Sequence, residues 1–167
     1  NTDPNTDPTP TPHQATHQGF PVDIPLQGSP LLLRAMRAED WDAVEWLLSF
    51  CGASAACCER KSGDGPLHIA AQLGAVELLQ PLLLFGALPG LNARNRFGHT
   101  ALHTAVHARH VRVTRALLGF GANPLMRFDG ISVLEMAREV EDWRMLWILE
   151  EACLKWVEEH GEEGEEG

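Results

Sequence analysis

The chain has 167 residues, 44% of them apolar, and its 23 acidic residues outnumber its 13 basic ones to leave a formal net charge of −10. That length suits one domain, or two very small ones, and a net acidic balance disfavours sequence-independent binding to phosphate backbones, which relies on Lys and Arg. The longest apolar stretches, such as Pro81 to Leu88, fall well short of the roughly 18 residues that mark a membrane helix, so neither nucleic acid nor membrane is expected as a partner.

Residues 1–28 are rich in Pro, Thr, Asn and Asp, and the run NTDP occurs twice. Proline supplies no backbone donor and disfavours helix at the residue before it. Without apolar periodicity such a stretch cannot repay its ordering entropy, so a disordered linker is expected. Phe20, Val22, Ile24 and Leu26 alternate and could lie along the first unit of the periodic region. The chain opens on Asn1 rather than Met, and is read as a segment of something longer.

From Ser29 the sequence becomes periodic. SPLLLRAMRAEDWDAVEWLLSFCGA carries Leu32, Ala35 and the pair Leu47-Leu48; GPLHIAAQLGAVELLQPLLLFGA, from Gly65, carries Leu67, His68, Ala70, Leu82-Leu83 and Gly86-Ala87. TALHTAVHARHVRVTRALLGFGA, from Thr100, repeats these as Leu102, His103, Ala105, Leu117-Leu118 and Gly121-Ala122, every match 35 residues on. Leu78, Leu79, Leu82 and Leu83 recur at the spacing of one buried helix face, and Val106, Val111 and Val113 take the corresponding sites of the next unit. Leu83 and Leu118 are expected to be buried between units. Pro66 suits a first helical turn, where no amide partner is needed. Pro81 falls inside the second helix, which must start late or kink there. Gly86 and Gly121 suit the left-handed residue that ends a helix.

A weaker unit runs from Gly121 through Leu134 and Ala137. Trp143 to Glu159 contains no Gly or Pro and keeps helical spacing at Leu146, Leu149 and Cys153, which predicts one long terminal helix. Trp41 and Trp143 fall at equivalent places in the outer units, and Trp147 where inner units carry Gln80 and Arg115. Residues 158–167 form an acidic Glu/Gly run, read as a solvated tail. It serves solubility, or transiently covers basic residues elsewhere.

Catalytic chemistry finds little support. His103, His107 and His110 could be thought of as metal ligands, but no HExxH is present and no carboxylate stands at ligand spacing. Cys57 and Cys58 are adjacent, and with Cys51 they lack a second pair to complete a zinc site. Few cysteines, no signal peptide and no Asn-x-Ser/Thr sequon point to an intracellular compartment, cytoplasm or nucleus. No phosphate-binding glycine loop, nucleophile elbow or convincing triad appears. No catalytic residue, metal or cofactor is expected, and the protein is read as no enzyme.

The repeated text resembles the ankyrin repeat, with its TPLHxAA segment, second helix ending in Leu-Leu, Gly-Ala and hairpin loop. The loop Asn92-Ala93-Arg94-Asn95-Arg96-Phe97-Gly98 is similar to the family's NAxDxxG text, and the residues beyond the usual period of 33 fall at Leu88 to Leu91. The resemblance implies an all-α solenoid of about four stacked helix-turn-helix units over residues 29–157, at about 29–60, 61–94, 95–126 and 127–157, with little or no regular strand. It also implies structural hydrogen bonds from His68 and His103, and a place for His110 at a common Gly-His position. The implied function is protein binding through a concave face and finger loops. Arg37, Gln72, Leu73, Arg94, Arg96, Phe97, His99, His107, Arg127 and Phe128, with Arg109 beside them, lie on or next to that side. The partner would be another protein, acidic in character, bound by a monomer. Scattered surface charge is the competing account of these residues. A terminal regulatory or docking segment of a larger multidomain protein is the alternative function.

Overall fold

The computed structural model describes residues 30–50 and 53–161. The expectations for the Pro-rich lead-in, Cys51 and the last six residues lie outside these. Four helix pairs follow one another: α1 Leu31–Arg37 with α2 Trp41–Ser49, α3 Pro66–Leu73 with α4 Leu79–Leu82, α5 Ala101–His107 with α6 Val111–Gly119, and α7 Val133–Glu139 with α8 Trp143–His160. The sole sheet among the described residues is a hairpin of β1 Arg127–Phe128 and β2 Ile131–Ser132, in which Phe128 pairs with Ile131.

Local signals set the helix ends. Asp40 accepts from the Ala43 amide at 3.1 Å to start α2, and Asp142 accepts from the Arg144 and Met145 amides to start α8. Ser132 and Glu135 cap α7 reciprocally, the Glu135 carboxylate taking the Ser132 amide at 2.6 Å. Those hydrogen bonds hold the Glu135 carboxyl below the usual carboxylate range. Pro66 occupies the first position of α3, as its sequence context predicts.

Pro81 has the simpler of its two expected consequences. A 3-10 turn, Val76–Leu78, precedes α4, so Pro81 sits in the first turn of a helix that starts late, where its missing N–H has no partner to lose. The chain then widens through Leu83–Ala87, with Gly86 left-handed at φ 102°, and the extra residues form a second 3-10 turn, Leu88–Gly90.

One helix from each pair, α1, α3, α5 and α7, forms a continuous row, each touching the next, while α4, α6 and α8 form the row behind. A single pair could not bury its apolar stripe, and stacking joins the stripes into one core. Ala70, Ala105 and Ala137 are each 0% exposed, small enough for the two rows to close on them. Leu47, Leu82, Leu117 and Leu149 form the matching buried ladder behind.

That ladder corrects the expected register. Leu83 and Leu118 are only half-buried at the edge of the core, where Leu82 and Leu117 take the central place, whereas in the first pair Leu47 and Leu48 are both buried. Neighbours on a helix point about 100° apart, so in the two inner repeats the second leucine is turned toward the edge of the core. The terminus differs as well: α8 continues through His160, so Glu158 and Glu159 are helical rather than part of a tail.

Candidate functional site

The loops joining successive helix pairs form fingers on the side where the first helices begin. The first, residues 59–64, closes through a hydrogen bond from the Glu59 amide to the Asp64 carbonyl at 2.9 Å. In the second, the Asn95 amide donates to the His99 carbonyl at 2.8 Å and the Gly98 amide to the Asn95 carbonyl at 3.0 Å. In the third, Asp129 and Gly130 take φ of 49° and 81° at the tip of the β1–β2 hairpin. Two successive positive φ values suit a tight turn whose twist matches its strands, which is why Asp-Gly stands there.

Asn95 ties the fingers together. Its Oδ1 accepts from the Phe97 amide at 3.0 Å and the His99 amide at 2.9 Å, and its Nδ2 donates to Asp64 Oδ1 at 2.8 Å. The Arg96 amide adds a bond to the Ser62 carbonyl at 2.8 Å. Asp64 Oδ2 in turn lies 3.8 Å from Arg37, whose guanidinium donates to Glu59 Oε2 at 2.9 Å. A polar chain therefore runs from the end of α1 across two fingers. Glu59, Ser62, Asp64 and Asn95 were not among the expected site residues. Their roles depend on contacts between residues 22 to 34 apart in sequence, and the one available signal was the place of Asn95 in the loop text.

The expected candidates separate into those the fold engages and those it presents. Arg37 belongs to the first group, since its charge is met by Glu59 and Asp64. His99 and Phe128 belong there too: their rings meet at 80° with centroids 3.9 Å apart, and a Cβ on Gly98 would come 3.1 Å from the Phe128 ring. Phe128 thus joins the second and third fingers. Leu73 is half-buried and packs on the core. Gln72 is exposed and accepts through its carbonyl from His110 Nε2 at 3.2 Å. Presented outward are Phe97, 63% exposed, with Arg94 and Arg96 beside it, and His107, Arg109 and Arg127. Arg94 and Arg127 brace their own fingers by donating to the Gly98 and Gly130 carbonyls at 3.2 and 2.9 Å.

The two matched histidines are structural. His68 Nδ1 accepts from the Gly65 amide at 3.2 Å, which leaves the proton on Nε2 to donate to the His99 carbonyl at 3.0 Å. His103 Nδ1 lies 2.7 Å from the Thr100 hydroxyl. Burial, then the His99 ring and the Arg94 charge, lowers the His103 pKa to about 4, so the ring is neutral at pH 7. Burial, followed by the nearby His107, also lowers that of His99.

A cleft of about 270 Å³ lies at the finger bases, lined by Cys57, Cys58, His68 and Arg94 among others. Both ring nitrogens of His68 are already engaged, so that ring is no candidate base. Among the described residues no group of three or more His, Cys, Asp or Glu is arranged to hold a metal ion, and no helix is long and apolar enough to cross a membrane.

The family model described as ankyrin repeats, three copies, matches residues 31–128. The chain is similar to ADP-ribosylation factor GTPase-activating protein AGD4 of Arabidopsis thaliana, 41% identical over 79 residues, which is 47% of this chain and 10% of that protein. It is also similar to human SH3 and multiple ankyrin repeat domains protein 1, 47% identical over 64 residues, or 38% of this chain and 3% of that one. Human transient receptor potential cation channel subfamily A member 1 is 35% identical over 72 residues, 42% of this chain and 6% of the channel. The chain thus spans a tenth or less of the relatives it matches.

Proposed function

Because the chain belongs to the ankyrin-repeat family, whose repeats serve as protein-interaction modules, we propose that it binds a partner protein through its first-helix row and fingers and carries no catalysis of its own. The carrying observation is the second finger: Phe97 stands 63% exposed in the same loop as the exposed Arg94 and Arg96, on backbone that Asn95 fastens through the Phe97 and His99 amides. Aromatic and Arg side chains are favoured as binding anchors, and a loop already ordered has less conformational freedom to lose on association. Arg127 and His107 extend the same surface. The exposed arginines of the second and third fingers, Arg94, Arg96 and Arg127, favour an acidic partner, although Arg37 contributes less because Glu59 already meets it. The binding unit begins near residue 29 and runs to the end of α8, works as a monomer, and resides inside the cell.

The test begins with isolation of a partner, followed by affinity measurements on the full chain. Arg96→Glu with Phe97→Ala should weaken binding about tenfold or more, while Arg115→Glu, on the second-helix row, should not. All variants should melt like the parent, since none of the three side chains is buried. Equal affinity of the finger variant and the parent overturns the reading.

A second reading comes from the relatives, in each of which the matched stretch is a small part of a much longer protein. The repeats would then dock other domains of the same polypeptide, and the finger variant would alter the activity of that polypeptide in place of an external affinity.

A further inference from the structure

Helix α8 is 18 residues long, twice the length of α2 or α6. Its inner face buries Met145, Ile148 and Leu149 against the stack. Its opposite face is also apolar. Trp143, Trp147, Leu154 and Val157 are 71%, 60%, 69% and 53% exposed. With Glu150 they fall at alternating intervals of four and three residues, the spacing of a coiled-coil seam, within an arc of about 80° on the helix. The sibling positions of Trp147 in the other repeats hold Glu45, Gln80 and Arg115. The terminal repeat of a stack ordinarily shows water a polar face, and an exposed apolar stripe of this extent marks an interaction surface.

Charge selects the occupant. Glu150 lies in the stripe, and Glu151 and Glu158 line one edge, all three exposed. The positive charges nearby are already placed: Arg144 lies over the Trp143 ring at 5.2 Å, and Lys155 reaches Glu159 at 3.6 Å. A second copy of the chain would bring glutamates toward their own equivalents, on a molecule already at −10. We infer that the outer face of α8 is a docking seam for a basic amphipathic helix of a partner protein, whose apolar ridge covers Trp143, Trp147, Leu154 and Val157 while its Lys or Arg residues meet Glu151 and Glu158. This surface is separate from the fingers and does not depend on them.

Two synthetic heptad peptides probe the seam on the full chain, both with Leu at the a and d positions, one with Lys and the other with Glu at e and g. The Lys peptide should bind, shift tryptophan emission to shorter wavelength and weaken with salt, and the Glu peptide should not bind. Trp147→Glu with Leu154→Glu should reduce Lys-peptide affinity about tenfold or more at an unchanged melting temperature. Glu151→Lys with Glu158→Lys should transfer preference to the Glu peptide. Arg96→Glu with Phe97→Ala should leave Lys-peptide binding intact, which separates failure of this seam from failure of the finger surface. Equal binding of the Lys peptide to parent and stripe variants would show attraction to net charge alone and overturn the inference. So would the absence of binding by either peptide, or a dimeric parent that Trp147→Glu makes monomeric.

Discussion

His68 donates from Nε2 to the backbone carbonyl of His99, 3.0 Å away and 31 residues later in the chain. The bond runs from the second helix pair to the finger that leads into the third, and the same ring accepts the Gly65 amide through Nδ1. One buried side chain therefore couples two repeats and completes a helix start. His68→Ala should lower unfolding free energy by about 1–3 kcal/mol, through two lost hydrogen bonds and the groups they leave unpaired. Urea titration of both proteins checks this, and a loss too small to resolve would mean that water replaces the ring.

Much of this arrangement was legible in the sequence. The constant offset between Leu67 and Leu102, His68 and His103, or Gly86 and Gly121 located the stack, because each is needed at one place in every repeat. Pro81 and the uninterrupted run after Trp143 were readable for local reasons, one a missing donor and the other an absence of helix breakers. The central leucine of the two inner pairs was not, because adjacent residues differ by only a rotation about the helix. The loop positions of the candidate surface were legible, and the part each side chain plays there was less so. Arg37 and Phe128 read alike with Arg96 and Phe97, yet the first pair is absorbed by Glu59 and His99 and the second is presented. Nothing local distinguishes them.

The corrected register makes a paired prediction. Leu117 is 0% exposed and Leu118 is half-buried. Leu117→Ala should cost roughly 2–5 kcal/mol, as expected where a large side chain leaves a cavity among close-packed neighbours. Leu118→Ala should cost less, on the order of 1–2 kcal/mol, for partial loss of apolar burial. Leu82→Ala and Leu83→Ala should rank in the same order. Chemical denaturation of the four variants decides it, and the reverse order would return the register to the second leucine.

The turn between paired helices passes through a left-handed residue in every repeat: Glu39, Gly74, Arg109 and Glu141, with φ of 55°, 74°, 60° and 55°. Only one is glycine, although a side chain in this conformation costs about 1–2 kcal/mol. Glu39 is exposed and accepts no side-chain role in the core, so Glu39→Gly should raise stability by about 0.5–1 kcal/mol after the added freedom of the unfolded chain is subtracted. Gly74→Ala should do the opposite, because its Cβ would come 2.8 Å from the His110 ring in addition to the backbone strain. Thermal melts of the two variants should move in opposite directions from the parent.

Acid should loosen the stack through His103. Its folded pKa lies near 4 against an ordinary value of 6.5, so the unfolded chain takes up a proton that the folded chain refuses. Stability is therefore greatest above about pH 6.5 and falls as pH drops toward about 4, where the folded ring also begins to protonate. The gap corresponds to roughly 2–4 kcal/mol, and His99, lowered for the same reason of burial, adds in the same direction. His103→Gln removes the titration while retaining a group able to bond Thr100. The parent should lose melting temperature steadily from pH 7 to pH 4.5, and the variant, less stable at pH 7, should lose distinctly less over that interval. Parallel pH profiles for the two proteins would show that His103 is not the group through which acid acts.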